Sequence, residues 1–411
     1  MGQCWLVNGS LVDRPGRFCL RLDAQGRVAA LESMDVGGKT PWVPNGTDAE
    51  GAAILDLAGD WLSPGGVDVQ INGGLGLAFP DLTPTDADLE RLEQVAAYLW
   101  DQGVDGFVPT IVTTAIAKVQ GALAAIARYR VEMAGKPGRA AVLGAHLEGP
   151  FLNLAKRGAH PQEHLQPLTA DRVAALLGDW ADQVTVVTLA PELDPTGEAI
   201  AWLRDRGIVV SLGHSQATAS EAAAAFDRGA TMVTHAFNAM PPLHHREPGL
   251  LGAAIARAGV QCGFIADGVH VHPTMLKLLI RAAGGDRGLF LVSDALSPLG
   301  LPDGQYPWDD RQITVQNGTA RLPDGTLSGT TLPLLDGVKN LVRWQVCESN
   351  LAIHLAAIAP RTALQSCKTL SSEAAIAPDP YLGQEAKNLL RWHQSGNDLT
   401  WQRLGDTLQP A

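Results

Sequence analysis

The rhythm of hydrophobic and polar positions changes near Trp61. Before it, short segments alternate: Cys4 to Val12 runs around the turn dipeptide Asn8-Gly9, and Arg17 to Leu22 and Arg27 to Leu31 flank Asp23-Ala24-Gln25-Gly26. These read as strands joined by tight turns. After Trp61, apolar runs take turns with Ala- and Leu-rich helical stretches. The runs are Leu62–Gln70, Gly103–Thr110, Ala140–Leu147, Val184–Ala190, Gly207–Gly213, Thr231–His235, Val260–Ala266 and Gly288–Ser293. Most do not alternate, as parallel strands buried on both faces require. Helices are predicted over Asp86–Gln102, Ile116–Met133, Ala170–Trp180, Gly197–Arg206, Ala217–Arg228, Leu250–Ala258 and Pro273–Ala283, with Thr85 and Thr169 as N-caps. Eight β/α alternations over about 230 residues match a (β/α)8 TIM-type barrel. The rival, an open doubly wound sheet, lacks a glycine-rich phosphate fingerprint after the first run.

Beyond the eighth run, Ser297 to Leu332 is rich in Gly, Pro and Asp and carries a hairpin signal, Ile313 to Leu322 around Asn317-Gly318. Leu334–Val346 and Asn350–Ile358 read as helices, the second stopped by Pro360. Ser366–Asp379 is polar and weakly patterned, a linker or mobile loop, and Asn388 to Trp401 is a strand, a turn and a strand. Strands at both termini imply a small β-sandwich domain built from both chain ends. The expected division is 1–60 and 366–411 for that domain and 61–365 for a catalytic barrel.

Composition narrows the function classes. The chain has 411 residues, 46% apolar and 18% charged, so it has material for a core and no signature of disorder. Net charge is −12, which gives no overall field for nucleic acid or an anionic membrane, and an anionic small ligand would need a local basic pocket. Five scattered cysteines without CxxC spacing read as reduced thiols of a cytoplasmic protein. The N-terminal stretch lacks the basic and apolar regions of a signal peptide, and Leu6 stands where a myristoylation signal wants Ser or Thr. No stretch approaches the roughly 20 apolar residues of a membrane span.

Barrel enzymes keep their chemistry at the C-terminal strand ends. There the sequence places Gln70 and Asn72, then Glu148, His214, His235 and Asn238, Asp267 to His270, and Asp294. Glu148, His214 and His235 suit a divalent metal with an open position, although any one histidine alone reads better as a hydrogen-bonded loop residue. Asp294, after an apolar strand, could move a proton between water and a leaving group, or simply cap the next segment. Arg246 could clamp a phosphate or carboxylate, or pair with Glu247. Lys156, Arg157 and His160 form a second basic cluster whose plain reading is a solvated loop.

These stretches together resemble the N-acetylglucosamine-6-phosphate deacetylases of the amidohydrolase superfamily. The matching text includes Pro64 to Gly73, His146 to Asn153, Gly213-His-Ser215, Thr234 to Met240, Arg246 to Gly249, Ile265 to His270, Ser293 to Ala295 and Leu327-Ser-Gly329. The resemblance implies that Glu148, His214 and His235 are metal ligands and Asp294 the catalytic acid/base. It implies sugar-phosphate contacts from Ala159, His160, Asn238, Ala239 and Arg246, from Asp267, Gly268, Val269 and His270, and from Leu327, Ser328 and Gly329. It implies a homodimer in which Arg246 and His270 serve the neighbour's site. Where many relatives carry His-x-His, this chain has Gln70-Ile-Asn72, a remnant of a second-metal site, so one divalent ion per subunit is expected. Zinc suits the ligands, and ferrous iron or another divalent ion also fits. The expected reaction is hydrolysis of N-acetylglucosamine 6-phosphate to glucosamine 6-phosphate and acetate. The alternatives are an amidohydrolase for N-acyl amino acids or cyclic amides, and a non-catalytic sugar-phosphate sensor.

Overall fold

A computed structural model describes residues 4–34, 53–285, 288–370 and 379–406. Its centre is a parallel barrel of Gly66–Ile71, Val104–Val112, Ala145–Glu148, Val184–Leu189, Val209–Leu212, Met232–Val233, Gln261–Phe264 and Leu289–Leu291, each strand paired with the next. Main-chain bonds from Asp294 N to Gln70 O (2.9 Å) and from Asn72 N to Ala295 O (2.7 Å) join the eighth strand end to the first. All eight expected strands are present, so the TIM-type barrel stands. The third run is split by Gly144, with a short strand Ala141–Val142 before it. Gly144 has φ +86, and a Cβ there would meet Thr185 Oγ1 at 2.2 Å, so only glycine fits this break.

The barrel interior is filled by Val67, Val69, Val108, Val186, Met232, Ile265 and Phe290 among others, and the helix Ala359–Leu364 packs onto the same cluster. Pro360 does end the preceding helix, at Ala357. Pro360 then sits in the first turn of the next helix, where its missing N–H costs nothing, and the hydrophobic pattern does not predict this helix. A larger apolar layer lies between strands and outer helices. The Thr85 and Thr169 side chains cap their helices by accepting from Asp88 N and Arg172 N. The expected helix to Trp180 stops at Leu177, because Gly178 turns the chain at φ +52.

Both chain ends meet in one seven-stranded sheet. Its order is Asp398–Arg403, Leu390–Ser395, Trp61–Ser63, Cys4–Leu11, Arg17–Leu22 and Val28–Ser33, with Ala53–Asp56 also pairing with Cys4–Leu11. The Asn8-Gly9 turn is corrected: Cys4–Leu11 is one strand with an irregularity between Leu6 and Gly9. Asn8 takes the left-handed φ of 58° as a bulge residue, so the dipeptide that favours a hairpin here bends a strand instead. The Asp23–Gly26 turn and the C-terminal hairpin form as expected. Residues 371–378 of the expected linker lie outside the described residues.

After the eighth barrel strand, Gly304–Trp308, Arg311–Gln316, Thr319–Arg321 and Leu327–Thr330 form an antiparallel sheet, with Asn317 and Gly318 at φ 50° and 77° in the expected hairpin turn. A bridge from Ala295 to Thr330 ties this sheet to the barrel mouth. Among the described residues no helix is long and apolar enough to cross a membrane. Among the described residues no disulfide links the cysteines.

Candidate active site

Four candidate side chains come from four strand ends. Glu148 is the last residue of the third strand; His214, His235 and Asp294 follow the fifth, sixth and eighth. The last three have φ of 49°, 26° and 49°. A left-handed residue straight after an extended strand turns the chain sharply. Such strain, of order 1 kcal/mol each, persists where the surroundings over-determine it. Before His214, Gly213 leaves no room for a Cβ, which would lie 2.8 Å from Thr234 Cβ.

The turns bring donor atoms together. Glu148 Oε1 lies 3.1 Å from His214 Nε2 and 3.1 Å from His235 Nε2, and the two nitrogens are 3.1 Å apart. His214 Nδ1 lies 2.8 Å from Lys156 O; a carbonyl only accepts, so Nδ1 carries the proton and Nε2 presents a lone pair to the carboxylate. A lone pair facing an anion calls for a cation between them. Ligands at about 2.1 Å from one ion, at angles between octahedral and tetrahedral, are about 3.0–3.4 Å apart, so the set fits a divalent metal. Burial would raise the Glu148 carboxyl, but its closeness to His214 and His235 holds it well below the usual range.

His160 is also close enough to form a donor group with Glu148 and His214. Its Nδ1, however, faces Thr113, at 3.4 Å from the main-chain N–H and 2.9 Å from Oγ1. With the N–H donating to Nδ1, the ring proton sits on Nε2, which makes His160 a donor rather than a ligand. Burial and the neighbouring His214 push its pKa down to about 3, so the ring is neutral.

Asp294 lies beside the cluster. Its Oδ1 accepts from Asn72 Nδ2 at 2.8 Å and from Gln70 Nε2 at 3.3 Å, and the Gln70 amide also reaches Glu148 Oε1 at 3.1 Å. Gln70 and Asn72 thus turn N–H groups toward the carboxylates. An amide nitrogen is no metal ligand, so in this arrangement both residues act on the carboxylates through orienting hydrogen bonds. Burial, then the charge of Glu148, raises the Asp294 carboxyl to about 6. Beneath the site, His146 bonds Thr188 Oγ1 at 2.7 Å, and burial lowers its pKa to about 4. Burial also raises the enclosed Asp68 to about 7.

A cavity of about 330 Å³ opens over these groups. Ala159, His160, Asn238 and Ala239 line it, as do His270, Leu327 and Ser328. Gly329 lies just behind, with no space for a side chain against Asp294 O. Asp267 grips His270, with Oδ2 2.7 Å from Nδ1 and Oδ1 accepting from two main-chain N–H groups. Gly268 packs on Trp344, and Val269 is exposed. Arg246 lies outside the lining, on an exposed stretch beside His244. Lys156 and Trp308 are among the lining residues that the sequence reading does not assign to the site. Lys156, which reads there as loop, is the one Lys or Arg of the described residues in the lining and donates to Met240 O at 3.1 Å. Trp308 enters from the inserted sheet.

A barrel with imidazole and carboxylate donors at its strand ends is the architecture of a metal-dependent hydrolase, and the amidohydrolase family matches residues 61–297. A human N-acetylglucosamine-6-phosphate deacetylase is 40% identical over 313 residues, covering 74% of this chain and 75% of that protein. An N-acetylgalactosamine-6-phosphate deacetylase of Escherichia coli O157:H7 is 33% identical over 337 residues, covering 82% of both. The structure of a Mycobacterium smegmatis N-acetyl-D-glucosamine-6-phosphate deacetylase D267A mutant, in complex with N-acetyl-D-glucosamine-6-phosphate, superposes with a TM-score of 0.78 at 26% identity, covering 98% of this chain and 99% of that one. Within the amidohydrolases, the chain belongs to the N-acetylglucosamine-6-phosphate deacetylase family.

Proposed function

We propose that this chain hydrolyses the acetamide of N-acetylglucosamine 6-phosphate to glucosamine 6-phosphate and acetate. The observation that carries the reading is the meeting of Glu148, His214 and His235 within 3.1 Å of one another, beside Asp294 and under a cavity that holds Lys156. Glu148, His214 and His235 would hold one divalent ion, with zinc the natural choice for this set and ferrous iron also accommodated. Such an ion supplies Lewis acidity toward an acyl oxygen and a water.

The chain's own groups do the rest. Asp294, oriented by Asn72 and Gln70, accepts a proton from the attacking water and delivers it to the amine nitrogen as the C–N bond breaks. Neutral His160 donates from Nε2 to the developing oxyanion. Lys156 and His270 attract the phosphate, and Asn238, Ala239, Leu327 and Ser328 shape the sugar's seat. A homodimer in which Arg246 reaches the neighbour's phosphate fits that residue's exposure away from its own cavity. Residues 61–365 would carry the catalysis, with 1–60 and 366–411 forming the flanking β-domain, whose sheet also takes in Trp61–Ser63. A cytoplasmic location fits cysteines that form no disulfide among the described residues.

The test is acetate release by metal-loaded protein. N-acetylglucosamine 6-phosphate should be turned over, and Lys156→Met should raise its KM about tenfold, the cost of roughly one charge-assisted hydrogen bond. The galactosamine epimer belongs in the same assay, given the relative named for it. Turnover of N-acyl amino acids in its place, or no acetate at all, overturns the reading.

A further inference from the structure

The cavity has a second chamber behind one of its walls. Asn72, Val112, Pro161 and Trp308 line the site and also line an adjoining cavity of about 670 Å³, which extends past Gly76, Thr113 and Leu296. The site itself, about 330 Å³, is near the lower end of ligand pockets.

The barrel order decides which end of the substrate faces that wall. Asn238, Ala239 and His270 follow the sixth and seventh strands, where the proposed phosphate contacts lie. Asn72 follows the first strand and Val112 ends the second, across the mouth of an eight-strand ring. Asp294 must reach the amide nitrogen, so the scissile bond lies between these sides. The sugar runs toward the sixth and seventh strands, and the acyl carbon chain points the other way, at the shared wall.

Within that wall Trp308 is the largest side chain, and it does not come from the barrel. It rides on the inserted strand Gly304–Trp308, half-buried against the cluster containing Ala159 and Leu296. The insertion is pinned on both sides. Arg311 Nη2 donates to Ala159 O at 2.9 Å, and Thr330 N donates to Asp294 O at 3.0 Å. A wall held this way cannot swing aside cheaply.

We infer that Trp308 is the specificity-determining residue for the N-acyl group, restricting this chain to acetyl by closing the passage into the second chamber. The inference rests on the deacetylase reading above. With the indole gone, the acyl channel joins the larger cavity and longer chains fit.

The experiment compares N-acetyl-, N-propionyl- and N-butyrylglucosamine 6-phosphate on the native chain, Trp308→Ala, Trp308→Leu and Trp308→Phe. Acid release gives kcat/KM, and calorimetry on an Asp294→Asn background gives Kd without turnover. Two extra methylenes against a rigid wall should cost the native chain well over tenfold. Trp308→Ala should raise the butyryl-to-acetyl ratio of kcat/KM at least tenfold, Trp308→Leu by less, and Trp308→Phe least, with Kd following the same order. The graded series keeps the test valid if the alanine variant melts early. Normal acetyl turnover with an unchanged ratio in folded Trp308→Leu and Trp308→Ala overturns the inference and leaves the deacetylase reading intact. Failure of the native chain to bind or cleave the acetyl compound overturns both.

Discussion

Asp294 shows how one side chain acquires a role from its surroundings. It is buried, it shares a neighbourhood with the anionic Glu148, and two amide groups fix its Oδ1. Burial and the like charge raise its pKa from 3.8 to about 6. As the proposed base it would work only when ionised, so a raised pKa would move the acid limb of kcat/KM upward. A cation on Glu148, His214 and His235 pulls in the opposite direction. The expected midpoint therefore lies below about 6, with activity falling tenfold per pH unit beneath it. A pH–rate profile checks this, and a single acid limb centred above 7 would assign the proton to another group. The candidate ligands were legible because each is a metal-type residue just past an apolar run. Lys156 was not, because a lysine in a loop looks solvated until the fold turns its ammonium to Met240 O and its carbonyl to His214. Gln70 and Asn72 stand out in the sequence as a departure, but which amide atom faces inward depends on carboxylates contributed by distant strands.

At the level of elements, the sequence showed where strands and helices lie better than how they end. Apolar runs of this length in alternation with helical stretches leave few folds open, and the threonine caps were readable from local chemistry. The Asn8-Gly9 dipeptide misled because its left-handed preference serves a bulge as well as a turn, and only the pairing of both halves of Cys4–Leu11 with Arg17–Leu22 tells which. Equally hidden were the left-handed residues at the strand ends, since nothing local marks His214, His235 or Asp294 as having positive φ. Their strain gives a stability test free of catalysis. Asp294→Gly and Asp294→Ala delete the same carboxylate, but alanine must hold φ near 49° and glycine does so freely. The glycine variant should be more stable by about 1 kcal/mol in denaturant unfolding, the reverse of the usual glycine penalty. An alanine variant of equal or greater stability would mean the strand end relaxes once the carboxylate is gone.

Across the whole molecule, the barrel and the sheet made from both chain ends are joined at one carboxylate. Asp105, on the second barrel strand, accepts from Gly65 N at 2.7 Å, from Arg361 Nη2 at 3.2 Å and from Arg403 Nη1 at 3.1 Å. Arg361 belongs to the helix packed onto the barrel interior, and Arg403 ends the last strand of the terminal sheet, its guanidinium 3.4 Å from the Trp100 ring centroid. Burial lowers the Arg361 pKa while Asp105 raises it, so this cation is kept inside by its partner. Removing the carboxylate leaves two guanidinium groups without their shared anion and Gly65 N without its acceptor. Asp105→Ala should cost about 3–5 kcal/mol, the range for breaking a buried pair by deleting one partner. Asp105→Asn retains an acceptor and should cost less. The junction lies at the N-terminal end of the barrel strands, away from Glu148 and Asp294 at their C-terminal ends, so kcat of the folded fraction should be unchanged. Denaturant unfolding beside steady-state kinetics separates these effects: a loss of kcat in folded Asp105→Ala would mean that the anchoring of the chain ends is coupled to the geometry of the mouth.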